Sequence, residues 1–261
     1  MAGLNAPFDR GAVRRHRDRA ARRIGPVVPL LAELAGRLVE RLDDVTRRFP
    51  TALDLGGRGV VAPLLAARGI GVVSADLSGP MLTRSPPPRV VADAEALPFG
   101  PAAFDLVVAS LSLHWINDLP GALIQLRRAL RPGGLFLASL PVLGTLDTLR
   151  AALTEAEAAL RGGAAPRVSP FPDLRDCAGL LQRAGFALPV ADVEEVTLSY
   201  ASPLALLAEL RAAGEANALT SRDRRIPPRA LFAAAAAELA GPDGRAAARL
   251  RLAVLTGWAP N

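Results

Sequence analysis

The chain has 261 residues, with 31 Lys+Arg against 25 Asp+Glu and a formal net charge of +6. Hydrophobic residues make up 51% of it and aromatic ones only 4%, alanine filling most of the difference, which supports an ample core of small and branched side chains and argues against intrinsic disorder. The single Cys177 excludes a disulfide framework and a zinc site of clustered thiolates, and no run of 18 apolar residues lacks a charge or proline, so no membrane span is expected.

Every basic residue is Arg, the imprint of a GC-rich bacterial genome. There is no signal-peptide pattern, and the lone thiol fits a reducing compartment, so a cytoplasmic location is expected. Residues 10–23 hold Arg10, Arg14, Arg15, Arg17, Arg19, Arg22 and Arg23 against Asp18 alone, and the rest of the chain is near charge balance. This run predicts an exposed N-terminal helix with a solvated face; a docking surface for an acidic partner or substrate is the alternative. No recognition motif accompanies it, so no nucleic-acid partner is expected. Asp9 and Asp18 count against a transit peptide.

Val27, Leu30, Leu31, Leu34, Leu38, Leu42 and Val45 recur at helical spacing and predict one amphipathic helix over 26–48, ended by Pro50. A short apolar strand over 52–55 runs into glycines 56, 57 and 59. A helix over 60–68 and a strand over 71–75 follow, the strand ending at Asp76. A third strand covers 89–92 and precedes Asp93. The strongest strand spans 104–111, a helix spans 119–130, residues 131–134 form a turn, and a fifth strand spans 135–140. Beyond it, helices are expected over 146–160, 173–184 (with Asp173 as N-cap), 204–213 and 228–240, and strands over 193–200 and 250–258.

The pattern divides the chain into basic and amphipathic helices (1–48), an alternating core (49–140), and strands with helical insertions that complete the sheet and form a lid (141–261). Strand–helix alternation predicts a parallel α/β sheet with helices on both faces. Ligands in such sheets sit at the carboxyl ends of the strands, which gathers Gly56–Gly59, Asp76, Asp93 and Ser110–Trp115 around one crevice. A strand opening into glycines lets backbone N–H groups approach a ligand. Asp76, 22 residues after Asp54, stands where a carboxylate accepts from ribose hydroxyls.

A nicotinamide site would carry Gly-x-Gly-x-x-Gly without an acid two residues before the first glycine. Asp54-Leu-Gly-Gly-Arg-Gly59, Asp76 and Asp93-Ala-Glu-Ala-Leu-Pro-Phe99 together resemble the class I S-adenosylmethionine-dependent methyltransferases. The resemblance implies a Rossmann-like, seven-stranded α/β fold and S-adenosylmethionine as cofactor. It implies Asp54, Gly56, Gly57 and Gly59 at the methionine end, Asp76 with Leu77 at the ribose, Asp93 with Ala94 at the adenine, and Ser110 at the strand end. The glycine loop is one residue shorter than the family's Asp-x-Gly-x-Gly-x-Gly. A shorter loop displaces N–H groups around the ligand carboxylate, so a non-catalytic binder of the same fold is one reading.

Over nearly the whole chain, Phe8-Asp-Arg10, Arg17-Asp-Arg-Ala20, Ser110-Leu-Ser-Leu-His-Trp-Ile-Asn-Asp-Leu-Pro-Gly121, Gly144-Thr-Leu146 and Thr256-Gly-Trp258 resemble the methyltransferase-fold assembly factors of respiratory complex I and their bacterial relatives. The Leu-His-Trp and Gly-Thr-Leu segments are also similar to the biotin-pathway carrier-protein O-methyltransferases. These likenesses imply methyl transfer to a protein side chain or a carrier-bound acid, or else modification of a respiratory complex I subunit by arginine hydroxylation.

Methyl transfer from a sulfonium is a displacement that needs alignment, and a base only for a protonated nucleophile. His114 is the candidate base, with Asp118 or Asn117 orienting it and Trp115 packing on substrate; first-turn packing is the alternative for His114 and Trp115. Hydroxylation ordinarily uses iron on two His and a carboxylate. His16, the only other histidine, has no partner motif, so no metal site is expected.

Overall fold

The computed structural model describes residues 6–261; the first five residues of the 1–48 segment lie outside the described residues. The strands are β1 (Thr51–Leu55), β2 (Gly71–Asp76), β3 (Arg89–Val91), β4 (Phe104–Ser110), β5 (Leu130–Pro141), β6 (Ala187–Tyr200) and β7 (Ala246–Trp258). They form one seven-stranded sheet in the order β3-β2-β1-β4-β5-β7-β6. The helices are α1 (Arg10–Ala20), α2 (Val28–Glu40), α3 (Val61–Ala66), α4 (Gly79–Leu82), α5 (Leu119–Ala129), α6 (Asp147–Arg161), α7 (Leu174–Arg183), α8 (Pro203–Ala213) and α9 (Arg229–Leu239).

β1 and β4 are parallel neighbours, with Ala52 opposite Leu106 and Leu53 opposite Val107. The sheet is mixed rather than wholly parallel, because β7 runs antiparallel to both β5 and β6. Tyr200 pairs with Ala246, so β6 and β7 are the arms of one long hairpin with α8 and α9 in its connection. A hairpin forces antiparallel pairing whatever its connection contains.

β4 is buried at every position. Leu106 and Val108 face Leu38, Val61 and Leu65 of α2 and α3 on one side. Phe104, Val107 and Ala109 face Leu123, Leu126 and Leu181 of α5 and α7 on the other. Alternation along one strand thus fills two layers, which is why the strand reads as a continuous apolar run. A separate apolar cluster joins α6, α8 and α9 with Ala248 of β7.

Several boundaries move. The helix expected over 26–48 is a 3-10 turn at Gly25–Val27, then α2, then a second 3-10 turn at Arg41–Asp44. Asp43, Asp44, Val45 and Thr46 are poor helix formers, and the chain leaves the helix there although Leu42 stays buried. Residues 131–134, expected as a turn, lie inside β5, where a register shift between Phe104 and Leu106 absorbs them. β6 starts six residues before the expected 193. Asp173 caps α7, its side chain accepting from the Arg175 N–H. Among the described residues no helix is long and apolar enough to cross a membrane.

Candidate active site

The crevice lies where β1, β2, β3 and β4 end. β1 runs into a turn in which Gly56 has φ +71 and Arg58 φ 53. A Cβ on Gly56 would lie 2.6 Å from the Ser112 Cβ, and one on Gly57 would lie 2.7 Å from the Asp54 carboxylate carbon, so only glycine fits at either place. Ser112 donates to the Leu55 carbonyl at 2.7 Å and ties the β4 exit to this loop. Ser110 itself stays within the sheet, opposite Ser139. Burial pushes the Asp54 carboxyl up to about 7; the Ser74 hydroxyl bond opposes that shift and nearby Asp76 adds to it.

Asp76 and Asp93 close β2 and β3, and each is held by an arginine of α1. Arg17 Nε donates to Asp76 Oδ1 at 3.0 Å, one terminal nitrogen of Arg17 bonds Asp76 Oδ2, and that nitrogen also donates to the Gly56 carbonyl at 3.1 Å. Burial disfavours the Arg17 charge, but the Asp76 carboxylate more than restores it and holds the guanidinium above its ordinary value. Arg10 grips both carboxylate oxygens of Asp93 and donates to the Trp115 carbonyl at 2.8 Å. The α1 segment is therefore not merely a solvated helix. Arg17 is buried with Val13 and Ala20, while Arg14, Arg15, Arg19, Arg22 and Arg23 stay exposed.

The space left among Arg10, Arg17, Gly56, Asp76, Leu77 and Ala94 is about 30 Å³, room for about one water. The groups fit S-adenosylmethionine in kind. Asp76, Asp93 and the Gly56 carbonyl form a set of acceptors: Arg17 on Asp76 and Gly56, and Arg10 on Asp93, show that they take cations bearing several N–H donors. Ribose hydroxyls and an ammonium make the same demands.

A second space adjoins the first. It is a largely apolar cavity of about 290 Å³ lined by Leu31, Leu34, Leu149, Leu206 and Phe232 among others. Its polar end holds Arg58, His114, Trp115 and Glu215. Glu215, from the loop between α8 and α9, bonds all three: His114 Nε2 at 2.8 Å, Trp115 Nε1 at 2.6 Å and an Arg58 terminal nitrogen. Burial alone would raise the Glu215 carboxyl, but His114 and Arg58 hold it far below the usual carboxylate range. Burial, with Arg17 nearby, lowers the Arg58 guanidinium to about 10. Among the described residues, Arg58 Nε and His114 Nδ1 are buried without hydrogen-bond partners.

Neither residue expected to orient His114 does so. Asp118 caps α5, accepting from the Gly121 N–H at 2.9 Å. Asn117 bonds the backbone of Phe8, accepting from its N–H at 2.8 Å. Asp118 is engaged within its own helix and Asn117 with Phe8 of the N-terminal segment, and the carboxylate on His114 comes from the loop after α8. Trp115 is buried edge-on against Phe8 at 5.2 Å and also reaches the cavity. Arg10, Arg17, Arg58 and Glu215 were invisible as site residues in the sequence. A signal existed for Arg17, which falls on the Val13–Ala20–Ile24 stripe where a core residue belongs.

Residues 53–138 match the family model described as "Methyltransferase domain". The chain is 38% identical to the human "Arginine-hydroxylase NDUFAF5, mitochondrial", over 96% of this chain and 76% of that protein. It is 35% identical to the "Malonyl-[acyl-carrier protein] O-methyltransferase" of Xylella fastidiosa, over 99% and 90%. In fold it is like a Haemonchus contortus phosphoethanolamine N-methyltransferase 2 solved with S-adenosyl-L-methionine, with a TM-score of 0.52 and 20% identity over 88% of this chain and 53% of that one. The glycine loop, the acids at the ends of β2 and β3, and near full-length relatives of both kinds agree: the chain belongs to the class I S-adenosylmethionine-dependent methyltransferase family, alongside the arginine-hydroxylase NDUFAF5 proteins and the malonyl-carrier O-methyltransferases.

Proposed function

We propose that the protein is an O-methyltransferase of the bacterial cytoplasm that esterifies the free carboxylate of an acyl chain presented by a carrier protein. One observation carries this reading. Arg58 stands on the glycine loop itself, buried, with Nε unpaired among the described residues, at one end of a cavity whose walls are mainly apolar and also carry Arg167, Tyr200, Glu209 and Arg211. A buried cation with a free donor beside the cofactor loop is an anchor for a carboxylate. The apolar walls suit the chain behind it and keep water out.

S-adenosylmethionine, when bound, supplies the electrophilic methyl group and leaves as the neutral thioether. A carboxylate carries no proton at neutral pH, so this chain supplies alignment and no base. Arg58 orients the acid. Glu215 holds Arg58 by charge and hydrogen bond, and His114 and Trp115 hold Glu215. Asp54, Gly56, Gly57, Gly59, Asp76, Leu77, Asp93 and Ala94 form the cofactor side. The exposed arginines of α1 fit an acidic carrier.

A second reading is modification of an arginine on a protein such as a respiratory complex I subunit. The identity to the arginine-hydroxylase relatives favours it, and Glu215 is the carboxylate a substrate guanidinium would seek. Both oxygens of Glu215 are already bonded, whereas Arg58 keeps Nε without a partner among the described residues, which is why the carboxylate reading ranks first. Incubation with S-adenosylmethionine and a malonyl-loaded carrier tests the two. A methyl ester on the acyl group supports the first reading. No ester on the carrier overturns it.

A further inference from the structure

We infer that α1 is an internal competitor for the cofactor, with Arg17 on Asp76 and the Gly56 carbonyl, and Arg10 on Asp93, filling the positions that the cofactor's own donors must take. The inference rests on the cofactor reading of those acids. In the described conformation Asp76 cannot accept from both hydroxyls of a ribose: Arg17 contacts both oxygens and the Ser78 N–H also donates to Oδ1 at 2.8 Å, which leaves about one acceptor site on Oδ2. The same guanidinium covers the glycine carbonyl at the methionine end. With about 30 Å³ left, a nucleoside bearing an amino-acid arm cannot enter beside α1. The helix has to withdraw.

It does not withdraw alone. The Asp9 N–H donates to the Ala218 carbonyl at 2.8 Å and the Thr220 N–H to the Pro7 carbonyl at 2.9 Å. Arg222 bonds Asp9 at 2.8 Å, and His16 Nδ1 lies 3.1 Å from the Ala216 carbonyl. Phe8, Ala12 and Val13 share one apolar cluster with Ala218 and Leu219. The α1 segment and loop 214–220 are thus tied to one another, with Trp115 packed in the same cluster, and Glu215 belongs to that loop. Cofactor entry therefore loosens the clasp on Arg58 and opens the acyl cavity in the same movement. The acceptor anchor is released only once the methyl donor is in place, a population shift driven by the ligand's preference for the open state.

The test uses the full-length protein and S-adenosylhomocysteine as the probe. Hydrogen exchange read by mass spectrometry should become faster in residues 10–20 and 214–220 when the probe is added. Slower or unchanged exchange there overturns the inference. Arg17→Met should bind the probe about tenfold more tightly than wild type in a calorimetric titration, because the competent fraction rises. Equal or weaker binding makes Arg17 a supporting residue and overturns it. If Arg17→Met fails to fold, Arg10→Ala at the more open Asp93 decides, with tighter binding expected and equal or weaker binding against. Absence of binding by wild type and variants alike removes the cofactor reading and the latch together. Binding by wild type with no gain in either variant removes the latch alone.

Discussion

Glu215 accepts a hydrogen bond from His114 Nε2 at 2.8 Å, although 101 residues separate them. One residue of the connection between α8 and α9 thereby holds the imidazole that follows β4, the indole next to it and the guanidinium of the glycine loop. The polar end of the cavity is assembled from three distant segments and has no local stability of its own.

Removing Glu215 should therefore be felt as a loss of fold stability. Glu215→Ala leaves Arg58 buried without its counter-charge and is expected to cost about 3 kcal/mol, the range for breaking a partly buried pair. Glu215→Gln keeps the Trp115 bond and should cost less. Urea unfolding followed by circular dichroism checks both; a loss below about 0.5 kcal/mol for the alanine variant would show that Arg58 finds other partners.

Arg58→Met should separate acceptor binding from cofactor binding. The side chain keeps its volume and loses its charge and donors. We expect kcat/KM for an acyl-carboxylate acceptor to fall about 100-fold, in line with the loss of a charged hydrogen bond, while S-adenosylhomocysteine binding does not weaken and gains whatever the Glu215 clasp withheld. Arg58→Lys should recover little, because an ammonium does not offer the guanidinium's second edge. An unchanged KM in the methionine variant would remove the carboxylate anchor.

Asp76→Ala should weaken S-adenosylhomocysteine binding by about 10- to 100-fold, the worth of one or two hydrogen bonds to a charged acceptor. Calorimetry measures it directly. An affinity equal to wild type would mean that the ribose lies elsewhere.

Asp54 predicts a pH dependence of stability. Its carboxyl titrates near 3.8 when exposed and at about 7 in the fold, so the folded state holds the proton more tightly between those values. The stability it contributes is complete below pH 3.8 and is lost as pH rises through 7. Asp54→Asn should therefore flatten the fall in Tm between pH 4 and pH 8 and be the more stable protein at pH 8. A wild-type curve that rises over this interval in step with the variant's would refute the assignment.

Much of the frame was legible in the sequence because it follows from local pattern. The uninterrupted apolar run 104–110 needs burial on both faces and so lies at the sheet centre. Glycines 56, 57 and 59 after a strand mark a backbone turn that no side chain fits. Asp76 and Asp93 are named by their places at strand ends. The longer amphipathic helix was over-read, since apolar spacing continued through Leu42 and Val45 after the backbone had left the helix. The antiparallel β7 was under-read, because alternation does not report strand direction once helices of the size of α8 and α9 intervene.

The residues along the chain by themselves determined the elements, the two faces of the central strands, the glycine loop and the acids at the strand ends, because each depends on neighbours within a few turns or on a strand's own period. Only the tertiary structure decided what those acids touch. Arg17 is one arginine in a run of seven, and charge alone cannot say which one turns inward; its place beside Val13 and Ala20 against Asp76 depends on how α1 packs across the strand ends. Glu215 is an unremarkable loop acid until α8 carries it to His114 and Arg58. Long-range ion pairs leave no periodic trace in sequence, so the contacts of Arg17 and Glu215 became visible only once the chain was folded.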